Sequence, residues 1–330
     1  MKYGKGFRMD ADGWIFLHIE GDPLTRGFQH GYLVADELEA IMRSCKYLTF
    51  FNTGKTWEFF VEAAVLLHDR WLTDEIRNEI IGISNGAQAR GKDISWQDIL
   101  AWNAYEELTD YWWPNVQDGL KYEDHPVVGE KSDFHFMRND HCSAFMAHRG
   151  ATVNGEIVMA HNSWNNFEMG QFSNVILDIL PSQGHRMFMQ SAPGYIDSFA
   201  DFFVTDAGLM GTETTIGGFS EYDPEECPEY VRVRLAMQYG NSLDDFKNRM
   251  KKHNNGGYAN AWLIGDVNTG DIMRYEQGLR FDNVELNPKC GYFIGFNAPL
   301  DPRIRNLECS DTGFCDIRRH KERDRLGFNN

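Results

Sequence analysis

A long segment without periodicity divides this chain into two parts that follow different patterns. Residues 111–141 are rich in Asp, Glu, Gly, Pro, His and Lys, and their apolar residues recur at neither the helical nor the strand period. Unstructured stretches of this length are uncommon in compact domains and are usually functional. The pattern predicts a long exposed connection that ends immediately before Cys142.

The part before this connection has a helical pattern. From about residue 22 to 110, apolar residues recur three and four positions apart, as they do on one buried face of a helix. Ser95 and Asp98 have the spacing of a capping box, and the helix that they open is predicted to end near Asp110. We therefore expect residues 1–141 to form a mainly helical segment.

The part that follows the connection is dominated by short runs of strand-forming residues. The Asn154–Gly155 pair lies between apolar flanks and predicts a two-residue hairpin turn. A helical block at about 228–252 interrupts the strands, which resume after it. This order predicts an α+β fold in which hairpin-built sheets are covered by helices. Residues 142–330 and the helical segment 1–141 are expected to form one compact domain.

Charge and cysteine content exclude several classes of function. The net charge of −17 repels phosphate backbones and anionic lipid heads, so no nucleic-acid partner is expected. Runs of about 18 apolar residues are absent and the first 21 residues lack the apolar core of a signal peptide, which predicts a cytoplasmic protein without stable membrane insertion. The six cysteines lack metal-ligand spacing, so no metal and no cofactor are predicted.

Cys142 lies between the predicted connection and the first predicted strand, in the sequence NDHCSAFMAH. A thiol there could be a nucleophile, although a lone cysteine is more often a small buried apolar residue. If the peptide bond after His141 is cut, the new α-amine of Cys142, with a usual pKa of about 7.7–8.0, can serve its own thiol as a base. A papain-like pair of Cys142 and His161 is an alternative, but the papain-type signature CGSCW is absent.

Several motifs from Cys142 onward resemble, in order, the phospholipase B-like family. They are HCSA, GEIVMAHNSW, SAPGYIDSFADFFVTDAGLMGTETT, YVRVRLAM, NNGGYANAWLIGD and GFNAPLDPR. That family consists of self-cleaving N-terminal nucleophile hydrolases. The early motif GDPLTRGFQHG also resembles the opening of the related penicillin acyltransferase type (peptidase C45). The resemblance implies a four-layer αββα sandwich of two antiparallel sheets between helical layers, with the nucleophile at the start of a strand.

The resemblance also assigns roles to residues around the nucleophile, Cys142. His161 and Trp164 fall at the wall of the site, in HNSW where the family has HNTW. Either Thr214 or Thr215 would face the nucleophile, and the sequence does not distinguish between them.

Three further positions carry roles implied by the resemblance. Asn297 aligns with an asparagine that donates to the oxyanion, although the residue on its own has the character of a turn. Asn260 would orient the substrate or the amine, or else satisfy backbone groups as an ordinary strand residue. Arg318 or Arg319, with Arg319 preferred, would lower the pKa of the thiol, the other being a surface charge.

Together these features predict a hydrolase, or an acyltransferase, that acts on a small amide or ester through a thioester on Cys142. The alternative is a noncatalytic protein that keeps the fold and binds a small ligand in an aromatic-lined cleft. The acyl group, its acceptor and the oligomeric state are not determined by the sequence.

Overall fold

The described residues form two β-sheets and a set of helices. The computed structural model describes residues 1–117, 142–219 and 221–309. The helices are α1 (Pro23–Leu33), α2 (Ala35–Thr53), α3 (Trp57–His68), α4 (Asp74–Ala89), α5 (Trp96–Asn103), α6 (Trp113–Val116), α7 (Phe167–Gly170), α8 (Glu229–Tyr239) and α9 (Leu243–Lys251). The strands are β1 (Lys2–Tyr3), β2 (Gly6–Ala11), β3 (Trp14–Gly21), β4 (Ser143–Arg149), β5 (Gly155–Asn162), β6 (Val175–Pro181), β7 (Met187–Ser191), β8 (Phe202–Thr205), β9 (Leu209–Thr215), β10 (Asn260–Asp266), β11 (Asp271–Gln277), β12 (Asp282–Leu286) and β13 (Tyr292–Gly295).

The larger sheet combines strands from both parts of the chain. Its order is β1-β2-β3-β6-β7-β8-β9-β10-β11-β12, and its neighbours are antiparallel except for β3 and β6, which are parallel. The prediction of purely antiparallel sheets is therefore wrong at this pair, and the N-terminal part is not only helical. The sequence of β3, WIFLHIEG, lacks the alternation that predicts a strand, because it begins with a continuous apolar run, which is typical of a strand buried on both faces.

Helices and the smaller sheet cover opposite faces of the larger sheet. On one face, Phe246 of α9 packs in a cluster with Trp262 and Met273 of β10 and β11. On the other face, the three-stranded sheet β13-β4-β5 places Met146 against Leu263. This arrangement confirms an α+β fold with two packed sheets.

Helices α1 and α4 approach each other unusually closely because both carry glycine at the contact. A Cβ atom on Gly31 would lie 1.8 Å from the carbonyl oxygen of Ile83, and one on Gly86 would lie 2.2 Å from that of Phe28. Only glycine allows this distance. The close approach brings charged side chains of the two helices into direct contact in the interior.

That contact is the paired cluster, which consists of Arg26, Glu79 and Arg234. The carboxylate of Glu79 accepts from Arg26 at 2.5 Å and from Arg234 at 2.7 Å. All three side chains are almost completely buried. Because Arg234 belongs to α8, the cluster ties the N-terminal helices to the part of the chain after Cys142.

The predicted end of the helix near Asp110 is wrong. The capping box at Ser95 is present, but α5 ends at Asn103 and a π-helical stretch, Glu107–Trp112, leads directly into α6. The helical course continues because its aromatic residues are buried, as where the ring of Trp113 lies 5.7 Å from that of Phe59. The predicted exposed connection therefore begins later than residue 111, and residues 118–141 lie outside the described ranges.

The predicted hairpin between β4 and β5 is confirmed, but its predicted turn is wrong. Arg149 pairs with Gly155, so residues 150–154 form the connection instead of a two-residue turn at Asn154–Gly155. Both paired residues have positive φ, 51° for Arg149 and 78° for Gly155. The glycine serves the start of β5, where a positive φ is needed, and not the centre of a tight turn.

Candidate active site

Cys142 lies immediately before β4, the middle strand of the smaller sheet. Its side chain is buried, and burial together with the nearby carboxyl group of Asp201 raises the pKa of the thiol to about 11. The backbone of Trp164 and the side chain of Ser163 partly offset this rise. The thiol is therefore protonated at neutral pH in the uncut chain and needs a base before it can attack a carbonyl group.

The pairing of β4 with β5 brings His161 close to the start of β4. Ala144 is directly opposite His161, and opposite residues in an antiparallel pair have side chains on the same face. Burial lowers the pKa of the His161 ring to about 4, although backbone groups of Ala200 and Glu213 oppose the change. Its Nε2 atom has no hydrogen-bond partner among the described residues. The ring is therefore neutral at pH 7.

Of the two candidate threonines, Thr214 faces this region. A Cβ atom on Gly295 would lie 2.8 Å from Thr214 Oγ1 and 3.4 Å from the Cβ atom of Ala144, so β9 and the smaller sheet meet here with no room for a side chain. Thr214 is fully buried, and its hydroxyl has no partner within the described ranges. Because side chains alternate along a strand, Thr215 points to the opposite face of the larger sheet.

Asn297 is positioned by its backbone and by its side chain. It has a left-handed conformation with φ 60°, and its carbonyl oxygen accepts from the Gly217 amide at 3.1 Å. Its side-chain Nδ2 donates to the carbonyl oxygen of Thr215 at 2.8 Å. The residue therefore has the turn conformation expected from its sequence context, with an amide group whose orientation is fixed beside the end of β9.

Asn260 lies next to Thr215 in the register of the larger sheet. Its Nδ2 atom is 3.5 Å from Glu229 Oε1, and its Oδ1 atom has no partner in the described part of the chain. Asn260 therefore faces α8, together with Glu229 and away from Thr214.

Of the remaining predicted site residues, only Trp164 lies within the described part of the chain. The side chain of Trp164 is 62% exposed, and its backbone is close enough to the Cys142 thiol to affect the pKa of that thiol. Arg319, Arg318 and His141 lie outside the described residues.

Sequence reasoning missed a group of acidic side chains next to Cys142. This acid cluster consists of Glu106, Asp197, Asp201, Glu213 and Glu229. Burial is the main cause that raises the pKa of each, to about 8 for Glu106 and well above the usual value for the others. Arg234 acts to lower the pKa of Asp197 and Arg232 that of Glu229, but burial outweighs both. The acids are spread over 124 residues without a fixed spacing, so no sequence motif identifies them.

Two members of the acid cluster lie close together. The carboxyl groups of Asp201 and Glu213 each affect the pKa of the other, although burial is the main cause that raises both pKa values. Both oxygens of the Glu213 carboxyl group lack a hydrogen-bond partner among the described residues. Glu213 and Asp201 also interact electrostatically with the Cys142 thiol. The acid cluster therefore extends to the predicted nucleophile.

The segment that carries Asp197 and Asp201 is held in place by the N-terminal helices. The amide of Gly194 donates to His30 Nε2 at 2.9 Å, and Trp102 Nε1 donates to the carbonyl oxygen of Pro193 at 2.9 Å. His30 accepts this bond as a neutral ring, because burial lowers its pKa to about 4. The helical part before Cys142 thus builds one wall of the site.

A family model decides the membership of this chain. The model described as Phospholipase B matches residues 70–277. The chain belongs to the phospholipase B family. This match confirms the prediction made from the motifs after Cys142, and it extends the similarity into helices α4 and α5.

Curated relatives support the same assignment. Phospholipase B of Crotalus adamanteus is 25% identical over 351 residues, which cover 91% of this chain and 63% of that protein. An uncharacterized protein of Archaeoglobus fulgidus is 24% identical over 281 residues, which cover 79% of this chain and 43% of that protein. Phospholipase B-like protein C of Dictyostelium discoideum is 22% identical, with 68% and 43% covered. The chain thus spans about half the length of these relatives.

A solved structure, a variant of the conjugated bile acid hydrolase from Clostridium perfringens, is also similar to part of the chain. The match covers 51% of this chain and 49% of that chain at 13% identity, with a TM-score of 0.26. This similarity is too weak to inform the function. Across the described ranges, no helix is long and apolar enough to cross a bilayer, and no group of three or more His, Cys, Asp or Glu side chains is arranged to hold a metal ion.

Proposed function

We propose that this chain is a cysteine hydrolase of the N-terminal nucleophile type, which cuts itself before Cys142 and then cleaves the acyl bond of a small amide or ester. The observation that carries the proposal is the position of Cys142. Cys142 is buried immediately before β4, directly after the segment that is predicted to be cut. Two residues further along, Ala144 is opposite His161 and meets Thr214 at Gly295. Membership of the phospholipase B family supports this assignment.

In the proposed maturation, the Cys142 sulfur attacks the carbonyl carbon of His141 and its proton passes to the departing amine. The peptide C–N bond breaks as the C–S bond forms, which leaves His141 as a thioester and Cys142 with a free α-amine. Water then hydrolyses the thioester to the His141 carboxylic acid and the thiol. Each step conserves atoms and needs no cofactor.

In the proposed turnover, the same sulfur attacks the substrate carbonyl carbon, and the α-amine takes the thiol proton and passes it to the leaving amine or alcohol. Water, or another nucleophile in a transferase, then releases the acyl group from the thioester. The Asn297 amide would donate to the oxyanion, and its bond to Thr215 fixes the amide in one orientation. Arg319 would stabilise the thiolate, and Asn260, His161 and Trp164 would border the substrate.

The two pKa values argue against the papain-like alternative. Cys142 has a pKa of about 11 and His161 a pKa of about 4, so a thiolate–imidazolium pair is strongly disfavoured relative to the neutral pair. An α-amine with a pKa of about 8 is a far better base for this thiol. The requirement for a base during turnover therefore favours a form of the enzyme in which cleavage has freed the α-amine of Cys142.

The proposal includes the predicted architecture and substrate class. Helices, the larger sheet and the smaller sheet supply three layers of the expected αββα sandwich, and the segments before and after the cut would remain one domain, because β3 pairs with β6. The names of the relatives make a phospholipid ester one substrate to test. An amide is an equally good substrate to test, because a net charge of −17 would repel anionic lipid heads.

The test compares Cys142→Ala with Cys227→Ala, a matched control because Cys227 is also a buried thiol with a raised pKa, about 12. We expect the wild type and Cys227→Ala to show a fragment whose mass begins at Cys142, and Cys142→Ala to remain one uncut chain. The same two fragments in Cys142→Ala would refute self-cleavage. An uncut wild-type chain that binds a small ligand would instead favour the noncatalytic alternative.

A further inference from the structure

A small, partly open cavity lies between α8, the π-helical stretch Glu107–Trp112 and the segment that leads into β8. Its volume is about 20 Å³, enough for one group the size of a water molecule. Glu106, Glu107, Asp197, Asp201 and Glu229 are the acidic residues of its wall. A cavity of this size therefore has five acidic residues around it.

The remaining wall is largely aromatic. Tyr195, Tyr230, Tyr258 and Trp262 line the cavity together with two phenylalanines. Aromatic faces attract cations through the negative potential over the ring, and carboxylates attract them by charge. The same combination would repel an anion, and a neutral group would not stabilise the ionised forms of the acids.

Two polar atoms at this cavity have no partner within the described ranges. They are Oδ1 of Asp197, a side chain that is 3% exposed, and the hydroxyl oxygen of Tyr230, which is 1% exposed. Buried polar groups are nearly always hydrogen bonded, so such atoms call for a ligand. A primary ammonium group is about the size of water and carries three N–H donors, which suits two acceptors in a small space.

The cavity is connected to the nucleophile by shared neighbours. Asp201 and Glu106 line it, and both carboxyl groups also raise the pKa of the Cys142 thiol. Tyr258 lines it as well and interacts electrostatically with Cys142. A group held in the cavity would therefore belong to a molecule that also reaches the sulfur.

Resting on the proposed function, we infer that this cavity binds the primary ammonium group of the acyl substrate, so that preferred substrates carry a cationic amine close to the scissile bond. A quaternary ammonium is too large for the cavity. The bound cation would favour the ionised forms of these carboxyl groups, which burial disfavours in the empty site.

The binding experiment uses methylammonium chloride as the probe, with sodium chloride added to keep the ionic strength constant. Calorimetric titration of the full chain should show saturable binding of methylammonium and none of tetramethylammonium. Asp197→Asn should weaken binding by roughly tenfold to a hundredfold, the usual effect of losing a charge-assisted hydrogen bond. Asp93→Asn is the control, because Asp93 is exposed and does not line the cavity; this variant should bind methylammonium as the wild type does.

A second variant, Glu229→Gln, covers the case in which Asp197→Asn does not fold. Equal binding of both ammonium ions, no binding of either, or unchanged affinity in the folded variants would each overturn the inference. The outcome does not depend on turnover.

Turnover of two matched amides tests the proposed function separately. The probes are one acyl group linked to 1,4-diaminobutane, which leaves a free ammonium, and the same acyl group linked to butylamine. We expect kcat/KM to favour the cationic amide by about tenfold in the wild type, and by much less in Asp197→Asn. Hydrolysis of both amides at equal rates would contradict the inference while leaving the hydrolase intact. Hydrolysis of neither, with methylammonium still bound, would count against the hydrolase alone.

Discussion

The paired cluster is buried and the acid cluster is buried or half-buried, yet the surroundings shift the pKa values of their carboxyl groups in opposite directions. In the paired cluster, burial alone would raise the pKa of Glu79, but Arg234 and Arg26 more than offset it and lower the pKa to about 2. In the acid cluster, the pKa of Glu106 rises to about 8 because no cation compensates for burial. The helices are thus held together by a carboxylate paired with two arginines, whereas carboxyl groups whose pKa is raised by burial are concentrated beside the predicted nucleophile. Such perturbed groups are a known mark of functional sites.

The largest expected effect comes from breaking the paired cluster. Glu79→Gln would leave Arg234 buried without a carboxylate and Arg26 paired with Glu75 alone, and the free energy of unfolding should fall by about 3–5 kcal/mol. Denaturant unfolding measures this change. Glu225→Gln removes an exposed pair with Arg70 and should cost less than about 1 kcal/mol. Similar losses in both variants would remove the distinction between the two kinds of charge.

The next effect tests the helix contact that creates the paired cluster. Gly31→Ala forces α1 and α4 apart, because its new methyl group would collide with the backbone of Ile83, and we expect a loss of about 1–3 kcal/mol in the free energy of unfolding. Gly150→Ala is the control, since a Cβ atom there meets nothing within 4 Å. A stable Gly31→Ala would show that the close approach is not needed.

The stability of the protein should depend on pH in opposite directions through the two clusters. The pKa of Glu106 rises on folding from 4.5 to about 8, under the influence of burial, Asp110 and Glu107 and against a hydrogen bond from Tyr258, so the folded state loses stability as the pH rises from 4.5 to 8. Glu106→Gln should reduce that loss by about 1 kcal/mol or more. Unfolding curves at pH 5 and pH 8 test this. An unchanged difference between the two pH values would contradict the assignment.

Glu79 should show the opposite behaviour. Its pKa is lowered on folding, so its contribution to stability is complete above pH 4.5 and is lost as the pH falls towards about 2. The free energy of unfolding, measured between pH 5 and pH 2, should therefore fall steeply in the wild type and less steeply in Glu79→Gln.

The smallest effect on stability is expected at the site itself. Thr214→Val removes a buried hydroxyl without a partner in the described part of the chain and should change the free energy of unfolding by less than about 1 kcal/mol. If Thr214 faces the reacting sulfur, the same change should slow self-cleavage, as followed on a denaturing gel. Thr215→Val, on the other face of β9, is the matched control. Slower cleavage only in Thr215→Val would reverse the assignment.

The sequence predicted those elements whose signals are local. The capping box at Ser95 and the strands after Cys142 follow from neighbouring residues, and the family follows from contiguous motifs. The parallel pairing of β3 with β6 joins residues 160 positions apart, and no local pattern specifies it. The Asn154–Gly155 pair predicts a two-residue turn, but Gly155 is the first residue of β5 and the turn is formed by residues 150–154.

The candidate site could likewise be predicted only where its residues belong to a local motif. Cys142 and the residues that share its motifs could be proposed from sequence, since each motif is a continuous string. The acid cluster could not, because Glu106, Asp201 and Glu229 come from three separate elements that meet only after folding. Which of Thr214 and Thr215 faces the smaller sheet likewise depends on strand register, which a single strand does not reveal.

The most direct test of the central claim is the mass of the protein after brief exposure to an equimolar activated acyl ester. The account predicts two fragments, of which only the one that begins at Cys142 gains the mass of a single acyl group, lost again on treatment with hydroxylamine as expected for a thioester. An acyl group on any other residue, such as the exposed Cys290, or an uncut chain without acylation, would contradict it.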